Sequence, residues 1–130
     1  MMMIVAIAIG GALGAVLRYS LVGWAQMWGA GFPYGTLLVN VIGSLIAGIV
    51  YIVLMEKLAL DSVMRGFILV GLLGSLTTFS TFSLETVHLL EAGEFVKAGL
   101  NSVMNVVLCI AATWLGFFIA RAYYLNNASL

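Results

Sequence analysis

The sequence predicts an all-α integral membrane protein of four transmembrane helices, organised as one domain over residues 1–130. Three observations carry this. Hydrophobic residues make up 64% of the chain and charged residues only 8%, whereas a soluble domain carries about a quarter charged residues. Four apolar stretches each reach the roughly 20 residues needed to cross about 30 Å of hydrocarbon. The charges cluster mainly in the connectors between those stretches. Five basic and five acidic side chains cannot cover a water-facing surface of 130 residues, so lipid must be the main solvent.

The same composition excludes several functions. Zero net charge leaves no basic excess for nucleic acid. The single cysteine, Cys109, excludes an intrachain disulfide and a multi-cysteine metal site. Between Leu108 and Ile110 it is expected to pack as a small hydrophobe.

The first span is predicted over residues 2–24. It has no basic n-region and no polar mature domain after it, so it reads as a retained span rather than a signal peptide. Gly10, Gly11, Gly14 and Ala15 are small residues that let helix backbones approach closely in lipid. They are not a dinucleotide fingerprint, because no strand precedes them. Arg18 lies near the end of the span. The turn signal Gly29-Ala30-Gly31-Phe32-Pro33 leads into a second span over residues 35–55, with Gly43, Ser44, Ala47 and Gly48 again small. Asn40 is its costly residue, since an amide at membrane depth needs partners.

The connector over residues 56–65 holds Glu56, Lys57, Asp61 and Arg65. A third span follows over residues 67–90, then Glu91, Glu94 and Lys97, and a fourth span over residues 95–120. The fourth places Asn101 and Asn105 one turn apart on one face, with Thr113 two turns further on. These polar residues read either as interhelical hydrogen bonds or as the lining of a polar route. The tripeptide Asn127-Ala128-Ser129 matches a glycosylation sequon and is read as chance.

Charge placement bears on orientation. Four spans put Lys57, Arg65 and Arg121 on one side and Arg18 and Lys97 on the other. Orientation follows an excess of Lys and Arg on one side, and three against two is almost none. Such a chain can insert both ways, which permits an antiparallel dimer.

The third span carries the chemistry. In Gly71-Leu72-Leu73-Gly74-Ser75-Leu76-Thr77-Thr78-Phe79-Ser80-Thr81-Phe82-Ser83, two glycines and six hydroxyl residues crowd the middle of the bilayer. Glycine and threonine both weaken a helix, so a break is predicted near residues 74–78. Backbone groups exposed there cost several kcal/mol each unless protein, water or an ion satisfies them. Converging carbonyls at a broken helix suit a cation, and half-helix N-termini suit an anion. The alternative is an unbroken helix whose hydroxyls bond back to their own carbonyls. Phe79 and Phe82 are three apart and share a helix face. A phenyl ring has a positive edge, so they either pack or present ring edges to an anion.

Together these segments resemble the CrcB or Fluc family of fluoride channels. The resemblance rests on Gly10-Gly11-Ala12-Leu13-Gly14-Ala15-Val16-Leu17-Arg18-Tyr19, on Gly35-Thr36-Leu37-Leu38-Val39-Asn40-Val41-Ile42-Gly43-Ser44, and on Gly71 through Phe82. The last motif is the most specific, and the likeness covers nearly the whole chain. It implies an antiparallel, dual-topology homodimer in the cell inner membrane, surrounded by lipid, with two fluoride pathways. A structural sodium ion at the dimer centre would be held by the carbonyls of Gly74 and Thr77. Phe79 and Phe82 would line the pathway edge-on, and Asn40 would donate to fluoride. Ser80, Thr81 and Ser83 would flank the rings, and Arg18 would sit near an aqueous vestibule. Glu85 matches an acidic position near the pore without an assigned role.

The physics suits that task. Fluoride is small and strongly hydrated, so its water must be replaced by close donors that carry no full charge, and conduction needs departure as easy as arrival. A potential of about 100 mV, negative inside, contributes roughly 2.3 kcal/mol per charge toward expulsion. A passive pore then suffices, with no enzymatic step.

Two other classes fit less well. A small dual-topology proton-coupled multidrug exporter needs a carboxylate within its spans. Only Glu85 lies inside one, and the first span has none. A di-metal enzyme would use the Glu-x-x-His spacing of Glu85 and His88, but neighbouring spans supply no further glutamates. His88 is instead expected at the membrane interface.

Overall fold

The computed structural model of the protein describes residues 1–27, 29, 31–57 and 61–127. Ala30 of the predicted turn, residues 58–60 of the middle connector, and Ala128 and Ser129 of the tail tripeptide lie outside them. Among the described residues every regular element is helical. Four helices are long and apolar enough to cross a membrane: Met2–Gln26, Tyr34–Leu54, Ser62–Glu91 and Phe95–Leu125. The protein is a multi-pass membrane protein.

Helix α1 (Met2–Gln26) forms the first span. Helix α2 (Tyr34–Tyr51) forms the second and continues in wider π-helical turns over Ile52–Lys57. The third span starts with α3 (Ser62–Arg65), passes through π-helical Gly66–Leu73 into α4 (Gly74–Leu76), breaks, and resumes as α5 (Phe79–Glu91). Helix α6 (Phe95–Asn127) is the fourth.

The ends differ from the sequence-based bounds for local reasons. The third span begins earlier because Asp61 caps α3, its Oδ1 accepting from Met64 N–H at 2.8 Å. It stops at Gly93, whose φ of 75° is the left-handed turn that favours glycine. There Glu94 N–H donates to Leu89 O (2.8 Å) and Gly93 N–H to Leu90 O (3.0 Å). The fourth helix runs on past Ala120 because no glycine or proline follows to stop it. In the first connector, Gln26 Nε2 donates to Gly29 O at 2.9 Å and Phe32 O at 3.1 Å, tying the turn to the end of α1.

Helix α2 lies along α6, and α1 lies along the π-helical half of the third span. The small residues explain the second contact. A Cβ at Gly10 would strike the carbonyl oxygen of Phe67, and one at Gly14 that of Leu72. Backbones therefore touch, as the glycine pattern predicted. The interior is narrow and partly polar. The largest fully buried side chains are Ile52, Val39, Asn101 and Thr36. Phe95, Val103, Ile110, Trp114 and Phe118 instead stand exposed. In water so large an apolar surface would be an aggregation hazard.

Candidate functional site

The break lies at Thr77 and Thr78, inside the predicted interval. Thr77 (φ −82°, ψ 157°) and Thr78 (φ −152°, ψ 121°) are extended between two helical halves. Thr78 is buried, so its N–H and C=O must find partners away from water. Asn40 supplies both. Its Oδ1 accepts from Thr78 N–H at 2.8 Å, and its Nδ2 donates to Thr78 O at 3.0 Å. The second Nδ2 hydrogen goes to Asn105 Oδ1 at 2.9 Å. The resemblance noted above implies that Asn40 donates to an anion. The structure engages both of its donors within the protein, so meeting an ion requires exchange of one bond.

Five of the six hydroxyls fall into two groups. Thr77 donates back to Leu73 O (3.0 Å) and Ser83 to Phe79 O (2.9 Å), as in any apolar helix. Thr78, Ser80 and Thr81 instead gather at the start of α5. Thr78 Oγ1 accepts from Thr81 N–H at 3.1 Å and caps the helix. It also donates to Thr81 Oγ1 (3.1 Å) and lies 3.3 Å from Ser80 Oγ.

Phe79 and Phe82 meet edge to face, with centroids 5.2 Å apart and planes at 61°. Their surroundings differ, which spacing alone does not reveal. Phe82 is 7% exposed, while Phe79 is 75% exposed. Together with Asn40, Ser44, Thr78 and Asn105 they line a cleft of about 350 Å³. Cys109 lines it too, so this thiol borders the site rather than serving only as packing.

Arg18 stands behind the break. Its Nη1 approaches Thr77 O at 3.5 Å, and it lines a second cleft of about 480 Å³ with Tyr19, Thr78 and Thr81. Thr78 is thus a wall common to both clefts. Arg18 therefore reaches from the first span to the middle of the third.

Gly74 and Thr77 have the right donor chemistry for a hard cation. The N–H that would close a helical turn on Gly74 O belongs to Thr78, and it is given to Asn40 instead. The carbonyls at this helix C-terminus carry the negative end of the helix dipole. Gly74 is exposed. Neutral carbonyl oxygens are suitable ligands for a hard cation, although two are fewer than such ions usually take. Among the described residues there is no cluster of three or more His, Cys, Asp or Glu side chains for a transition metal.

Glu85 accepts from Thr36 Oγ1 at 2.6 Å through Oε1, while its Oε2 is buried without a hydrogen-bond partner. Near it, His88 is exposed. Asn105 donates to Asn101 Oδ1 at 2.9 Å, and Asn101 to Thr86 Oγ1 at 2.9 Å. Thr113 bonds Ser44 O (3.2 Å) and Cys109 O (3.0 Å), joining α6 to α2. Sequence reasoning left Thr36 and Thr86 without a role and read Ser44 only as a small packing residue. Thr36 was accessible in principle, because it lies one turn before Asn40 on the same helix face.

Known proteins match this chain over most of its length. The family model described as CrcB-like protein, Camphor Resistance (CrcB), matches residues 5–117. A protein of Geobacter metallireducens named fluoride-specific ion channel FluC is 48% identical over 122 residues, covering 93% of this chain and 98% of that one. Its namesake in Shewanella amazonensis is 54% identical over 111 residues, covering 85% and 89%. That of Roseiflexus sp. is 50% identical over 121 residues, covering 92% and 98%.

Proposed function

The chain belongs to the CrcB family, and from that premise we propose that it is a fluoride-selective channel through which cytoplasmic fluoride leaves passively. The observation that carries this is the cleft at the break, where Asn40, Phe79 and Phe82 meet in a chain about half identical to proteins named fluoride-specific channels. Ring edges, hydroxyls and an amide offer partial positive charge without a fixed cation, so an anion can be both admitted and released. Ser80, Thr81 and Ser83 extend the polar surface beside the rings. Arg18 raises the local anion concentration in the neighbouring cleft. The exporter reading is not favoured, because it leaves the aromatic and hydroxyl cluster unused.

Purified protein in liposomes should release fluoride rapidly once a potassium ionophore lifts the voltage constraint, and release chloride hardly at all. Equal release of the two anions would sink the fluoride reading.

The functional unit is an antiparallel homodimer of dual topology in the inner membrane. Support comes from the balanced basic residues and from the 75% exposure of Phe79, an aromatic site residue left open on the protomer. A structural sodium ion at the dimer centre, held by Gly74 and Thr77 carbonyls of both copies, would complete a coordination shell that one copy cannot. A cysteine added at the C-terminus in a Cys109→Ala background should therefore label from both sides of intact cells. The dimer should also melt at higher temperature in sodium than in a large organic cation. Labelling from one side only excludes dual insertion, and an unchanged melting temperature excludes the sodium site.

A further inference from the structure

Three spans share a hydrogen-bond relay that begins and ends on the backbone of the third. The Thr78 N–H can only donate, so Asn40 turns Oδ1 toward it (2.8 Å), which settles the orientation of that amide. Asn40 Nδ2 then faces Asn105 Oδ1 at 2.9 Å. With its oxygen so engaged, Asn105 turns Nδ2 to Asn101, reaching Oδ1 at 2.9 Å and the main-chain oxygen at 3.1 Å. Asn101 Nδ2 donates to Thr86 Oγ1 at 2.9 Å, and the Thr86 hydroxyl donates to Phe82 O at 2.8 Å. From Asn40 onward each side chain donates to the next. Flipping one amide would set donor against donor or acceptor against acceptor. Bonds aligned in this way reinforce one another in a low dielectric.

The ends of the relay, Thr78 and Phe82, bracket the turn of α5 that carries both phenyl rings. Asn101 is 0% exposed, and neither it nor Thr86 lines the cleft. Holding helices together is a poor account of three buried carboxamides in series, since interhelical hydrogen bonds in membranes add little stability. Holding one turn at a set angle is a better one.

We propose that Asn101 and Thr86 are positioning residues that fix the ring-bearing turn of α5, and so set the discrimination between fluoride and larger halides. The inference rests on the channel reading above for its second half and on geometry alone for its first. Asn101 acts in both directions, through Asn105 on Asn40 and through Thr86 on Phe82. A turn freed at either end lets Phe79 and Phe82 tilt, which widens the site and weakens the preference for the smallest halide.

The test uses the full-length protein in lipid. Thr86→Val keeps the branched shape and removes the hydroxyl, and Thr86→Ser restores the hydroxyl. Asn101→Ser, too short to bridge Asn105 and Thr86, is read in the same way should Thr86→Val not fold. Two quantities are measured: the ratio of fluoride to chloride release from liposomes, and hydrogen exchange of the Thr78 amide in nanodiscs. Thr86→Val should lower the ratio about fivefold, in the range by which networked residues modulate function. It should speed Thr78 exchange about tenfold, because local opening sets that rate. Thr86→Ser should recover both. A wild type that releases no fluoride defeats the channel reading, and Thr78 exchange still decides whether the relay fixes the turn. A wild type that conducts, with ratio and exchange unmoved in Thr86→Val, overturns the relay. So does a fall in flux that merely follows the folded fraction, which would assign both residues to packing.

Discussion

The Phe79→Ile/Phe82→Ile double variant is expected to lose most of its fluoride flux while the protein still purifies folded. Isoleucine restores most of the volume but has no positive ring edge. If an anion at a ring edge gains what two rings gain edge to face, each ring is worth about 0.5–1.5 kcal/mol. Two rings together amount to about 1–3 kcal/mol, or roughly 5- to 150-fold in rate. The single variants should separate for a structural reason. Phe82 is 7% exposed, so its replacement also leaves a misfit among its neighbours, costing about 1–2 kcal/mol of stability. Phe79 is 75% exposed, so Phe79→Ile should barely change the stability of the fold and should act on flux alone. Flux and folded fraction are read on one preparation. Full flux in the double variant would falsify the ring-edge mechanism while leaving the fold untouched.

Asn40→Leu is expected to be strongly damaging to both the fold and the flux. Removing the amide strands the Thr78 N–H and C=O at the break and takes a donor from Asn105 Oδ1. Ordinary interhelical hydrogen bonds in membranes average only about 0.6 kcal/mol, because the unfolded chain finds other partners. Thr78 differs, since its extended backbone has no helical neighbour to turn to. Each stranded buried group costs about 1–3 kcal/mol, so a loss of about 3 kcal/mol or more is expected, together with fluoride flux. Thermal unfolding and flux are the measurements. A variant as stable as the parent would show that water or the π-helical half of the span can satisfy the break unaided. Asn40→Asp keeps the acceptor for Thr78 N–H but sets an oxygen against Thr78 O and Asn105 Oδ1, so it should rescue little.

Much of this was legible in the chain itself. Four apolar runs and sparse charge determine four spans, because hydrocarbon tolerates neither unpaired backbone nor many ionised side chains. Gly10 and Gly14 announce a close helix contact, since only hydrogen fits where carbonyls approach. Glycines beside clustered threonines announce the break near Thr77, a conflict between local propensity and a continuous helix. These signals are local, and local patterns survive reading in one dimension.

What pairs with what was decided only in three dimensions. Asn40 reads as an amide in need of partners, but the sequence cannot name them, because it does not show that the Thr78 backbone lies 2.8 Å from its oxygen. Phe79 and Phe82 share a helix face, yet one is buried and the other exposed, because α2 and α6 cover only part of that face. Arg18 reads as a residue near a span's end until the packing of α1 on the third span carries it to Thr77. Thr86 and Asn101 lie fifteen residues apart and become a hydrogen-bonded pair only when α6 folds back along α5. The lipid requirement acts on each residue separately, so composition and spacing record it. A buried polar group's partner is set by where another span happens to pass, and no residue carries that information alone.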